Sequence, residues 1–217
     1  MRKDPHKRRG LGVDRRETVD RVLAQRQPDL TVLAEALHKP RNLSAIIRTC
    51  DAVGINEVHA VPGEEGVAVH WNTSQGAEKW VGVRRHASLG DACRHLRGAG
   101  FQLIAAHLSD DAVDYREIDY TRPTALVVGT ELWGVSEAAL AETDHEIVIP
   151  MKGMTQSLNV SVACAIVLYE AMRQWEAAGL YGECELDPGL RERLRFEWMH
   201  PAVARYCLEN GIEYPAL

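Results

Sequence analysis

Two apolar periods alternate along the chain. Residues 14–26 carry Val19, Val22 and Leu23 on one helical face and stop at Gln27-Pro28-Asp29, which predicts a helix. Residues 30–37 are short and apolar, which predicts a strand. Residues 42–53 place Leu43, Ile46, Ile47 and Ala52 on a helical face before Gly54. The same reading gives strands at 57–61, 80–84, 101–106, 124–128 and 146–149. It gives helices at 89–97, 135–141 and 157–178, and two small ones from about Leu186. Strands that alternate with helices in this way predict an α/β fold with a mostly parallel sheet and helices on both faces. We expect residues 1–28 to form a basic N-terminal helical extension, 29–180 the core and 181–217 a C-terminal helical extension.

Charge adds an asymmetry to this picture. The chain of 217 residues has a net charge of −6, yet residues 1–50 hold 12 Lys/Arg against 6 Asp/Glu. A basic head on an acidic body is the footprint of a polyanion-binding surface, or of a solvated terminus when taken alone. Arg15, Arg16, Arg26, Arg41 and, on the long helix, Arg173 are the candidate contacts. The longest uncharged apolar stretch, 157–169, is interrupted by Asn159 and Ser161, so no membrane-spanning helix is expected. Residues 1–16 lack the apolar segment of a secretory signal. Five dispersed cysteines and nine scattered histidines show no metal-ligand spacing, so we expect reduced thiols, a cytoplasmic protein and no metal.

The chain has no G-x-G-x-x-G after a strand, no phosphate-binding P-loop and no G-x-S-x-G elbow, which excludes a classical dehydrogenase and weakens a hydrolase. Three segments carry chemistry instead. Asn42 and Arg48 lie six residues apart on one helix. Read alone, Asn42 is also a helix cap and Arg48 a surface residue. A buried strand ends at Gly129 and is followed by Glu131 at the carboxyl edge of the sheet, where open α/β folds bind ligands. The third segment, Ile149-Pro150-Met151 through Ser157-Leu158-Asn159 to Ala163, sets Asn159 and Ser161 in an apolar stretch. Buried polar groups left unpaired there would cost about 1–3 kcal/mol each, so something polar must meet them.

In this order and spacing the segments resemble the three motifs of the SPOUT class of knotted RNA 2′-O-methyltransferases: N-x-x-x-x-x-R, G-x-E, and I-P-M-x-G-x-x-x-S-L-N-V-S-V-A. The similarity is closest to the tRNA guanosine-18 branch of the TrmH family and covers about residues 14–217. It implies a C-terminal trefoil knot, S-adenosylmethionine as cofactor, tRNA as substrate and a homodimer. It implies that Ala106, Gly129, Ile149, Met151 and Leu158 hold the cofactor, and that Arg48, Asn42, Glu131, Ser157 and Asn159 serve the reaction. Arg48 then activates the ribose hydroxyl or clamps the neighbouring phosphate; a guanidinium with a pKa above about 12 favours the clamp. Two alternatives stand beside this one: a ribosomal RNA ribose methyltransferase of the same superfamily, and a non-catalytic RNA-binding module. The short N-terminal extension favours tRNA over ribosomal RNA.

Overall fold

The computed structural model describes residues 14–37, 39–63, 79–130, 132–182 and 186–215. Glu131, Cys184 and the basic run before Asp14 lie outside the described residues. In chain order the elements are α1 (Arg15–Leu23), β1 (Leu30–Glu35), α2 (Pro40–Ala52), β2 (Glu57–Val61) and β3 (Gly82–Arg85). They continue with α3 (Leu89–Gly98), β4 (Gln102–Ala106), β5 (Val113–Asp114), β6 (Thr124–Val128), α4 (Glu137–Leu140) and β7 (His145–Val148). The last three are α5 (Val160–Ala178), α6 (Pro188–Met199) and α7 (Pro201–Asn210).

Residues Arg26–Glu185 form one compact unit. Its seven strands run in the order β3-β2-β1-β6-β4-β7-β5, and all their pairings are parallel. A parallel sheet covered on both faces needs strands apolar on both sides, and β6 is buried at every position. Leu126 and Val128 pack with Ile46, Ile47, Cys164 and Leu168 of α2 and α5. Ala125 and Val127 face the other way, toward Ala92, Leu96 and Ala139 of α3 and α4.

Arg26, expected as an RNA contact, is 1% exposed and belongs to this interior. It donates to Ile55 O at 2.9 Å, Asp51 Oδ1 at 2.7 Å and Trp80 O at 3.0 Å. A guanidinium enclosed in this way does not reach a phosphate, and we remove it from the RNA surface. Three histidines that are remote in sequence also meet here. His59 on β2 is 4% exposed, and its Nδ1 lies 2.8 Å from His86 Nε2. The ring centroids of His59, His86 and His95 are 5.1–5.5 Å apart.

The described residues up to Gln25 and from Leu186 onward form a second compact unit, so the two terminal extensions share one body. Arg195 on α6 donates to Asp20 on α1 at 2.7 Å, and Arg15 donates to Trp198 O at 2.8 Å. Tyr214 stacks on Phe196 with centroids 4.7 Å apart.

Candidate active site

α2 begins earlier than expected. Pro40 occupies its first turn, where a missing N–H costs nothing, so Asn42 lies inside the helix and is not its cap. Asn42 is 8% exposed, and Arg48, six residues on, is exposed. Upstream, Ala36 at the end of β1 holds φ at +48°, a left-handed conformation uncommon for a side-chain-bearing residue. Its N–H donates to Val61 O at 3.0 Å, which steers the chain into α2.

α5 begins later than expected, at Val160 rather than Ser157. Asn159 is its N-cap: Oδ1 accepts from Ser161 N–H at 2.9 Å and from Ser161 Oγ at 2.6 Å. The freed Nδ2 donates to Asn42 Oδ1 at 3.2 Å. This amide joins the first and third segments, but Asn159 is exposed and Ser161 half-buried, so neither is the buried polar group that the apolar stretch suggested.

Starting the helix only at Val160 leaves residues 149–158 as an open loop at the carboxyl edge of the sheet. With the residues after β4, this loop walls a cavity of about 780 Å³. Ala106, Ile149, Met151, Leu158 and Ser157 line it, joined by His107, Thr155 and Gln156, which the sequence did not single out. The size suits a nucleoside-bearing ligand. The apolar walls suit an adenine, and Thr155, Gln156 and Ser157 offer hydrogen bonds.

Gly129 is not among the residues lining this cavity. Its missing side chain makes room for the protein itself: a Cβ there would stand 1.9 Å from Gly134 O. Thr130 and Gly134 exchange backbone hydrogen bonds of 2.8 and 3.0 Å across this tight loop. Glu131, two positions after Gly129 in the sequence, is outside the described residues. Asn42 and Arg48 also lie off the cavity lining, on the helix that Asn159 ties to it.

Among the basic residues, Arg41 is exposed at the start of α2. Arg173 is exposed but held by Glu170 through hydrogen bonds of 2.8 and 2.7 Å. Arg15 and Arg16 are exposed on α1 of the terminal unit. Cys50 and Cys164 are buried between α2, α5 and the sheet, and burial pushes the Cys164 thiol up to about 12. No helix among the described residues is long and apolar enough to cross a membrane. No group of three or more described His, Cys, Asp or Glu side chains is placed to hold a metal ion.

The chain matches the model of the SpoU rRNA methylase family over residues 29–169, and that of the SpoU rRNA methylase C-terminal region over 173–217. It is 55% identical over 185 residues to the tRNA (guanosine(18)-2′-O)-methyltransferase of Thermus thermophilus, covering 85% of this chain and 95% of the relative. Its fold matches the crystal structure of the TrmH/SpoU tRNA modifying enzyme of A. aeolicus with a TM-score of 0.79 and 42% identity, over 87% of this chain and 96% of the other. The SpoU methyltransferase AviRb from Streptomyces viridochromogenes, solved in complex with AdoMet, matches with a TM-score of 0.61 and 30% identity, over 73% of this chain and 64% of that one. The family models together run through both compact units, and the chain belongs to the SpoU rRNA methylase family.

Proposed function

We propose that this chain is an S-adenosylmethionine-dependent tRNA (guanosine(18)-2′-O)-methyltransferase, acting in the cytoplasm as a homodimer. One observation carries the chemistry: the 3.2 Å hydrogen bond from Asn159 to Asn42, which ties the helix bearing Arg48 to the loop that walls the cavity. The substrate comes from the relatives, since the 55% identical protein is named for guanosine 18 of tRNA. Val162 and Tyr169, respectively 46% and 49% exposed on α5, are apolar surface for a second copy to cover.

The residues present fit the cofactor. Ala106, Ile149, Met151 and Leu158 enclose the adenosine, and Ser157 faces the same cavity. Bound there, S-adenosylmethionine supplies an electrophilic methyl group. The protein's task is to align a ribose 2′-oxygen with it and to let the hydroxyl proton leave. Arg48 clamps the phosphate beside the target ribose, Asn42 and Asn159 fix the helix that carries it, and Glu131 and Ser157 frame the ribose. Arg41, Arg15, Arg16 and Arg173 take RNA phosphates. The two terminal extensions, up to Gln25 and from Leu186 onward, serve as RNA-binding additions to a catalytic core that starts at Arg26, three residues earlier than the sequence suggested.

Incubation of the purified protein with S-adenosylmethionine and unmodified tRNA, followed by nucleoside analysis, tests this reading. 2′-O-Methylguanosine at position 18 is expected. Methylation of a base, or of ribosomal RNA in preference to tRNA, refutes it. Arg48→Ala is expected to abolish turnover while cofactor binding stays near the parent's.

A further inference from the structure

The loop after β6 holds an apolar pair outside its own fold. Leu132 is 79% exposed and Trp133 84% exposed. Single exposed apolar residues are ordinary. Trp133 differs in how firmly its backbone is held. Its N–H donates to Thr130 Oγ1 at 3.0 Å, inside the paired Thr130–Gly134 loop. Downstream, Ser136 donates to the two carboxylate oxygens of Glu35 on β1, from N–H at 3.1 Å and from Oγ at 2.6 Å. The indole is thus presented on a pinned support, which lowers the ordering cost of binding something to it.

The topology places this support. β6 lies between β1 and β4, with Val127 level with Leu33 on one side and Ala105 on the other. Trp133 therefore leaves the sheet at the edge where Ala106, His107 and Leu108 wall the cavity and where β1 leads into α2. Exposed cations stand on the segments of the same edge, Arg41 at the start of α2 and Lys152 in the loop after β7. An exposed aromatic side chain at the sheet edge that also carries the cavity and exposed cations matches one kind of ligand, a nucleotide unstacked from its RNA, which offers a π-face and a phosphate together.

We propose that the Trp133 indole stacks on a nucleobase of the RNA substrate and so is a substrate-positioning residue that holds the target ribose at the cavity. The proposal rests on the RNA-methyltransferase reading above. The experiment uses full-length Trp133→Ala, Trp133→Leu and Trp133→Phe. Its readouts are initial rates and direct binding with unmodified tRNA, cofactor binding by calorimetry, and mass by light scattering. Trp133→Ala and Trp133→Leu are expected to raise the KM for tRNA by about 10-fold or more, and Trp133→Phe to recover most of it. Cofactor affinity and mass stay at the parent's values. A parental KM in Trp133→Ala, or equal values in the Leu and Phe variants, overturns the proposal. A changed mass in Trp133→Ala overturns it as well, because the indole then packs against a second copy. The two readings fail separately. A parent protein that methylates no tRNA defeats the substrate assignment. Stacking is judged from direct RNA binding, where recovery by Phe and not Leu supports it and parental affinity in all three variants defeats it.

Discussion

Acidification from pH 7 to pH 5 is expected to destabilise the β2–β3–α3 edge by about 2 kcal/mol through His59. Burial, then the charges of His86, His95 and Arg84, hold the His59 pKa at about 3, against 6.5 for a free imidazole. Burial also lowers the pKa of His86. Glu57, with Oε2 3.9 Å from His59 Nε2, and Asp91 on α3 are the acidic groups on this side, and both favour the protonated form of His86. The unfolded chain takes up a proton near pH 6.5, whereas folded His59 does so only near pH 3. The stabilisation is therefore present above pH 6.5 and is lost as pH falls toward 3. At 1.36 kcal/mol per pKa unit the whole stake is about 5 kcal/mol, of which about 2 kcal/mol lies between pH 7 and pH 5. Urea unfolding followed by circular dichroism at pH 5, 6 and 7 measures it, with His59→Gln as the control. The parent should lose about 2 kcal/mol more than the variant over this range. Equal pH dependence in the two proteins, or a parent more stable at pH 5, refutes the reasoning.

Arg26→Ala takes a donor from the carbonyls of Ile55 and Trp80 as well as from the one-third-exposed Asp51, and should cost about 1–3 kcal/mol for each carbonyl left unpaired, read in thermal unfolding. The salt dependence of tRNA binding by the variant that remains folded should match the parent's, since the side chain is enclosed. Gly129→Ala drives a Cβ into Gly134 O and should destabilise the protein by more than about 2 kcal/mol in a denaturant melt, with turnover lost; parental stability would disprove the close approach. Asn159→Ala removes both the α5 cap and the link to Asn42. A stability loss of about 1–2 kcal/mol and weaker cofactor binding by calorimetry are expected, whereas Asn159→Asp should keep the cap and lose only the link.

The sheet was legible because burial on both faces makes runs such as Leu30–Ala34 and Thr124–Val128 apolar at every position but one, and the exceptions, Thr31 and Thr124, donate their hydroxyls to the carbonyls of Glu57 and Arg122. β5 has two residues, too short for any period, and it exists only because β7 offers Ile147 and Val148 as partners. Side-chain chemistry was harder to place. Arg26 and Arg41 look alike in a charge count, and only the carbonyls of Ile55 and Trp80 separate the interior one from the exposed one. Asn42 and Asn159 stand far apart in sequence, so their hydrogen bond was invisible until α2 packed on α5. Gly129 marked a close approach, but spacing did not reveal that the approaching atom belongs to Gly134. The histidines showed no pattern along the chain because β2, the β3–α3 turn and α3 each contribute one.

The strand order also governs how the chain folds. β1, β2 and β3 follow one another in sequence and pair as they emerge, whereas β4 has no neighbour in that group. β6, made later, inserts between β1 and β4, pairing Leu30 with Thr124 and Gln102 with Thr124 in one step. Until then each side of the sheet shows an unpaired apolar edge, and closing it spends loop entropy before any contact returns it. Folding should thus be limited by the arrival of one central strand, and the nascent protein remains open to misassociation until β6 and then β7, which covers the far side of β4, are free to move.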